Sequence, residues 1–247
     1  MKLPFVLDDG AAAAAALGLV ILQNDETLEP ELRTIFNDCT RAIYHTRIAS
    51  AEEVTPETLR AMECDLPSAL ALLPTARPLD VVAYACTSGA TLIGQDRVAE
   101  IISSVHPGCS NTNPITAVLA ACDHLGVRRL GFITPYVPDV SSAMQRLLEK
   151  NGLEITAFAS FEQSQEAVVA RISPQSVLEA ICTVGRNNDV EAVFASCTNL
   201  RTFEILDAAE ACIGKPVISS NAALAWHMGK LAGLGPLRGA PGRLLGS

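Results

Sequence analysis

Short apolar runs of strand length alternate with longer stretches of helical pattern along most of this chain. That alternation limits the fold more than any other feature. Strand candidates lie at 18–22, 42–46, 81–85, 129–134, 154–159, 192–195 and 216–219. Helical signals fall between them. Thr55 before Pro56 reads as an N-cap followed by proline at the first helical position, and Ser173-Pro174 repeats the signal. A further helix over 141–151 is closed by Gly152. Strands separated by helices predict an α/β fold with mainly parallel sheets. Composition agrees: 49% of the 247 residues are hydrophobic but only 4% are aromatic, so the core is aliphatic.

The chain also repeats itself. Asp80 leads a buried strand into Cys86-Thr87-Ser88-Gly89, and Asp189 leads another into Cys197-Thr198-Asn199. Downstream of the first stands Ser110-Asn111-Thr112-Asn113-Pro114 before an Ala-rich helix. Downstream of the second stands Ser219-Ser220-Asn221 before another. The repeat predicts two related, pseudo-symmetric α/β halves, residues 1–117 and 118–233, with the chain crossing between them. Residues 234–247, rich in Gly, Pro and Arg, read as a loose tail. Each cysteine would stand at the C-terminal end of a strand, the edge where open α/β sheets bind ligands. The two thiols would then face each other across a cleft.

A net charge of −9 argues against a nucleic-acid partner, because phosphate binding needs a basic footprint. No apolar run reaches membrane-spanning length, and Asp8 and Asp9 interrupt the only candidate leader, so a cytoplasmic protein away from membranes is expected. The eight cysteines, at 39, 64, 86, 109, 122, 182, 197 and 212, lack C-x-x-C or zinc-finger spacing. Most read as small buried hydrophobes in a reducing compartment, with no metal site. The four histidines, at 45, 106, 124 and 227, read as structural or solvent-facing.

At Cys86-Thr87-Ser88 a strand turns into a helix, where unpaired amides and the helix dipole favour thiolate and carboxylate alike. Thr87 and Ser88, with Thr198 and Asn199 on the other side, add donors for a small-molecule carboxylate. Two thiols flanking one carbon suit cofactor-independent 1,1-proton transfer. They suit equally a covalent route in which thiolate adds to a double bond, the bond rotates and elimination follows. A non-catalytic small-molecule binding protein is the third reading.

These residues resemble the aspartate/glutamate/hydantoin racemase superfamily. The nearest subgroup is similar to maleate cis-trans isomerase, the ectoine-utilisation racemase-like proteins and arylmalonate decarboxylase. The resemblance runs from about Leu17 to Gly233. It rests on residues 25–31, 54–59, 80–89, 134–136, 195–199 and 216–221. It implies two Rossmann-like halves with the active site between them, Cys86 and Cys197 as the catalytic pair, and a homodimer or larger homo-oligomer. It implies Tyr136 as a substrate-carboxylate ligand. Asp25 falls where the maleate isomerases carry a substrate-binding Asn, and Gln165 falls near a second family Asn. A carboxylate at Asp25 would repel a diacid unless protonated, and would suit an amine or amide. These departures favour the ectoine-utilisation type, with a nitrogen-bearing substrate. Arylmalonate decarboxylases keep only the second cysteine, whereas both are present here.

Overall fold

The computed structural model describes residues 1–8, 10–36 and 40–247. Asp9 and Cys39 therefore lie outside the described residues. In chain order the first half runs β1 (Ala15–Leu22), α1 (Leu28–Ile35), β2 (Arg41–Ile48), α2 (Pro56–Ala61), α3 (Leu66–Leu70), β3 (Val81–Ala85), α4 (Thr87–Ile93), α5 (Gln95–Val105) and β4 (Ser110–Thr112). After α6 (Pro114–Leu125) follow β5 (Arg129–Tyr136), α7 (Pro138–Lys150), β6 (Glu154–Gln163), α8 (Glu166–Val169), α9 (Pro174–Gly185), β7 (Ala192–Ala195), α10 (Leu206–Ile213) and β8 (Val217–Ser219). The chain ends with α11 (Ser220–Leu231) and α12 (Gly242–Leu245).

Two four-stranded parallel sheets result, ordered β2-β1-β3-β4 and β6-β5-β7-β8. Replacing each strand number n by n+4 turns the first order into the second, so the internal repeat is a repeat of topology. It extends to side chains. Leu17-Gly18 pairs with Val81-Val82, and Leu130-Gly131 pairs with Ala192-Val193. Each of these glycines lets a helix or loop side chain close onto the sheet. A Cβ on Gly18 would stand 2.9 Å from Leu79, and one on Gly131 would stand 2.5 Å from Val184. The strands β1, β3 and β7 are buried throughout, as parallel strands covered on both faces must be.

The expected caps form. Thr55 and Thr58 make a reciprocal capping box on α2, and Ser173 caps α9 ahead of Pro174. Asn113 and Ser219 cap α6 and α11 in corresponding places. Helix α11 follows the last strand of the second sheet but packs on α6, β3 and β4 of the first. The chain thus crosses back.

The structure departs from expectation in three places. Strand β4 carries only the polar residues Ser110, Asn111 and Thr112, so no apolar pattern marks it. The final residues are docked rather than loose. Leu237, Leu244 and Leu245 are buried, and Gly242 N–H donates to Asp207 on α10. Cys182 on α9 and Cys212 on α10 are paired as a disulfide, an exception to the reading of most cysteines as unpaired thiols. Among the described residues, no helix is long and apolar enough to cross a membrane.

Candidate active site

Strands β3 and β7 hold the same place in their sheets, and each delivers a buried cysteine just beyond its C-terminal end. Cys86 is the N-cap of α4, and its Sγ accepts the Gly89 N–H at 3.2 Å. Ser88 Oγ lies 3.7 Å from the same sulfur. Helix geometry leaves the Thr87 and Ser88 amides without intrahelical acceptors. Gly89 is required here, because a Cβ would overlap the Tyr84 hydroxyl and stand 3.0 Å from Cys86 Sγ.

Cys197 sits at φ 119°, a region that non-glycine residues rarely occupy. It is held there from both sides. The flanking Ser196 amide donates to Ile133 O, and the Cys197 amide donates to Ser220 Oγ at 3.0 Å. Its Sγ accepts the Asn199 N–H at 3.3 Å and lies 3.1 Å from Tyr136 Oη. Strain of this kind costs on the order of 1–3 kcal/mol and gathers at functional positions.

Tyr136, at the end of β5, donates its hydroxyl to Glu166 Oε1 at 3.0 Å. The other oxygen of Glu166 accepts from Asn199 Nδ2 at 3.1 Å. No sequence signal marks Glu166, and Gln165, which the resemblance does mark, does not enter this group. Gln165 is exposed and stands at the N-terminal boundary of α8 without a side-chain capping bond. The reason is a local backbone pairing: Val54 N–H donates to Ser164 O, Glu166 N–H donates to Glu52 O, and Glu53 bridges Gln165. That pairing turns residue 166 inward and residue 165 outward.

Asp25 is buried on the turn before α1. Its Oδ1 accepts the Thr27 and Leu28 amides, both at 2.9 Å. Asn199 fastens this turn to the second half. Its Oδ1 accepts the Glu26 amide at 2.9 Å, and its Nδ2 donates to Asn24 O at 3.1 Å. Two of the expected substrate donors therefore serve the frame: Asn199 does so in this way, and Thr87 Oγ1 donates to Ser220 Oγ at 2.8 Å. Thr198 Oγ1 reaches Ala85 O at 3.4 Å. The structure thus brings Cys86, Thr87, Ser88, Cys197, Thr198, Asn199, Tyr136 and Asp25 to one buried region, and adds Glu166.

The electrostatics of this region are acidic. Burial pushes the Cys86 thiol up to about 11, against the Gly89 amide and the Ser88 hydroxyl. Burial also drives the Cys197 thiol well above its ordinary value, with the Glu166 charge adding to it. Burial also raises the Glu166 and Asp25 carboxyls, against the hydrogen bonds each accepts. Among the described residues no group of three or more His, Cys, Asp or Glu is placed to hold a metal ion. The histidines stand elsewhere: His106 contacts Leu70 O, and His227 contacts Thr112.

The chain is similar to a maleate isomerase of Alcaligenes faecalis, with 22% identity over 88% of this chain and 91% of the relative. It is similar to an arylmalonate decarboxylase of Bordetella bronchiseptica, with 29% identity over 55% of this chain and 56% of the relative. Its fold matches that of a cysteine-to-serine variant of Nocardia farcinica maleate cis-trans isomerase carrying a covalently bound succinylcysteine intermediate. The TM-score is 0.86 at 22% identity, covering 94% of this chain and 98% of that one. The model of the arylmalonate decarboxylase family matches residues 66–245, a span that includes both cysteines, and the chain belongs to that family.

Proposed function

We propose that this protein is a cofactor-independent isomerase of a small carboxylic acid, working with Cys86 and Cys197 as its two reactive groups. The observation that carries this reading is the equivalence of the two thiols. Each is buried beyond the middle strand β3 or β7 of sheets with the same order, and each sulfur accepts a backbone amide of its own turn. Both sides of a substrate carbon can then meet sulfur. In a proton-transfer reaction one thiolate takes the proton from carbon, and the electron pair stays on carbon, delocalised into the substrate carboxylate. The opposite thiol returns a proton to the other face. The thiol and thiolate have exchanged places, and no other reagent is consumed. The helix N-terminus at Thr87 and the Ser88 hydroxyl face the substrate carboxylate and stabilise the charge that develops on it.

A second reading, geometric isomerisation, is favoured by the relatives. Maleate isomerases match across about nine-tenths of the chain, and a neighbouring fold holds a succinylcysteine. In that route thiolate sulfur bonds to one olefinic carbon, the former double bond rotates, and elimination of the thiolate restores it in the other geometry. Simple decarboxylation, the activity in the family's name, fits less well because it needs only one protonating thiol.

Proton NMR in deuterated water with Cys86→Ser and Cys197→Ser tests these readings. Exchange of a substrate C–H that either substitution abolishes establishes proton transfer. A covalent adduct on the remaining cysteine, seen by mass spectrometry, establishes the addition route. Turnover that survives both substitutions overturns the assignment.

A further inference from the structure

Each sulfur of the site has a buried tyrosine hydroxyl beside it, and the two hydroxyls are committed differently. Tyr136 Oη lies 3.1 Å from Cys197 Sγ and donates its proton to Glu166 Oε1 at 3.0 Å. The second hydroxyl belongs to Tyr84 on β3. Tyr84 and Cys86 stand two residues apart, and the backbone stays extended through Cys86, at φ −143° and ψ 116°. Both side chains therefore leave the same face of the strand. Gly89 keeps the space between them open, because a Cβ there would overlap Tyr84 Oη and stand 3.0 Å from Cys86 Sγ.

Tyr84 is fully buried, and a buried hydroxyl needs an acceptor. Among the described residues its partners are both sulfur. It donates to Met62 Sδ at 3.9 Å, a long contact to a weak acceptor, and it reaches Cys86 Sγ on its other side. A neutral thioether or thiol accepts poorly, whereas a charged acceptor makes a much stronger hydrogen bond. The Tyr84 hydroxyl therefore gains most when Cys86 is ionised. Burial opposes that charge, and Tyr84 works against the burial together with the Gly89 amide and the Ser88 hydroxyl. Burial, with the adjoining Cys86 sulfur, also holds the Tyr84 hydroxyl well above its ordinary range, so it keeps its proton and serves as a donor.

Building on the two-cysteine isomerase reading, we infer that Tyr84 is a positioning residue for Cys86, a hydrogen-bond donor held in reserve for the thiolate form of that sulfur. It transfers no proton and touches no substrate. In the proton-transfer route it steadies Cys86 whenever that sulfur has given up its proton. In the addition route it steadies the thiolate before the sulfur–carbon bond forms and after elimination breaks it. Tyr136 has already spent its proton on Glu166, so this reserve belongs to the Cys86 side.

The test reads the thiol itself, apart from turnover. Iodoacetamide alkylation of Cys86, followed on its own peptide by mass spectrometry across a pH series, reports how much of the sulfur is thiolate. Tyr84→Phe removes the hydroxyl and keeps the ring. It should slow alkylation about tenfold at each pH, as a midpoint raised by about one pH unit requires. Met62→Leu removes the competing acceptor and leaves the hydroxyl, and should speed alkylation. Thermal melting is recorded for both variants. A rate unchanged or raised by Tyr84→Phe, or lowered alike by both substitutions, shows that Tyr84 only fills the core and overturns the inference. If Tyr84→Phe does not fold, Met62→Leu decides: faster alkylation supports the donor, and any other result overturns it. Alkylation needs no substrate, so turnover of Cys86→Ser and Cys197→Ser reports separately on the two-cysteine mechanism.

Discussion

The hydroxyl of Thr87 donates to Ser220 Oγ at 2.8 Å, joining residues 133 positions apart. Thr87 begins the helix that follows Cys86, and Ser220 Oγ accepts the amide of Cys197 at 3.0 Å. The two thiol-bearing turns are therefore tied to each other through one hydroxyl. This contact sets their relative position, and it holds Cys197 at its unfavourable φ of 119°.

Removing that hydroxyl should be felt at both ends. Ser220→Ala leaves the Cys197 amide buried without a partner, at a cost of about 1–3 kcal/mol. Urea unfolding should show that loss. Turnover should fall by at least tenfold, with a smaller change in KM, because the substrate-facing groups remain while the sulfur is misplaced. An unchanged kcat would show that Cys197 keeps its geometry without Ser220.

Gly89→Ala is expected to damage the Cys86 side. The new methyl would overlap the Tyr84 hydroxyl and press on Cys86 Sγ. Tyr84 is fully buried and cannot retreat. Overpacking of this kind costs typically about 1–3 kcal/mol. The measurement is thermal melting together with the alkylation rate of Cys86. A fully stable variant with normal Cys86 reactivity would mean that the strand end adjusts without strain.

Glu31 should give the fold a pH dependence. Burial raises its carboxyl from 4.5 to about 7, against the donors of Asn221, Phe203 and Thr202. The folded protein thus holds this proton more tightly than the unfolded chain. The stability it contributes is complete below about pH 4.5 and is lost as pH rises through 7, by up to about 3 kcal/mol. The raised Asp25 and Glu166 carboxyls act in the same direction. Denaturant titrations across this range should show the slope, and Glu31→Gln should reduce it. A slope identical in the variant would exclude Glu31 as its source.

Much of this architecture is legible in the order of residues alone. Seven of the eight strands fall on apolar stretches of the sequence, and the signal is clearest in β1, β3 and β7, because a parallel strand covered on both faces has no polar side. The caps at Thr55 and Ser173 are local chemistry between residues three positions apart. Repetition marks Cys86 and Cys197 as equivalent, and the matching strand orders of the two sheets are what that repeat encodes.

Tertiary structure alone decided the rest. Strand β4 is polar and exists because Val81–Ala83 offers it a ladder. Residues 182 and 212 meet because α9 and α10 pack together. Three leucines bind the last residues to the body of the fold. In the site, the choice between Gln165 and Glu166 turned on one residue of register, set by a backbone pairing with residues 52–54. Local propensity has no access to that pairing. Nor does it show that Thr87 and Asn199 spend their polar atoms on the frame. Sequence determines which groups a chain carries and where its strands end. How those groups are partnered is a property of the whole packed molecule, because each partner comes from a distant segment.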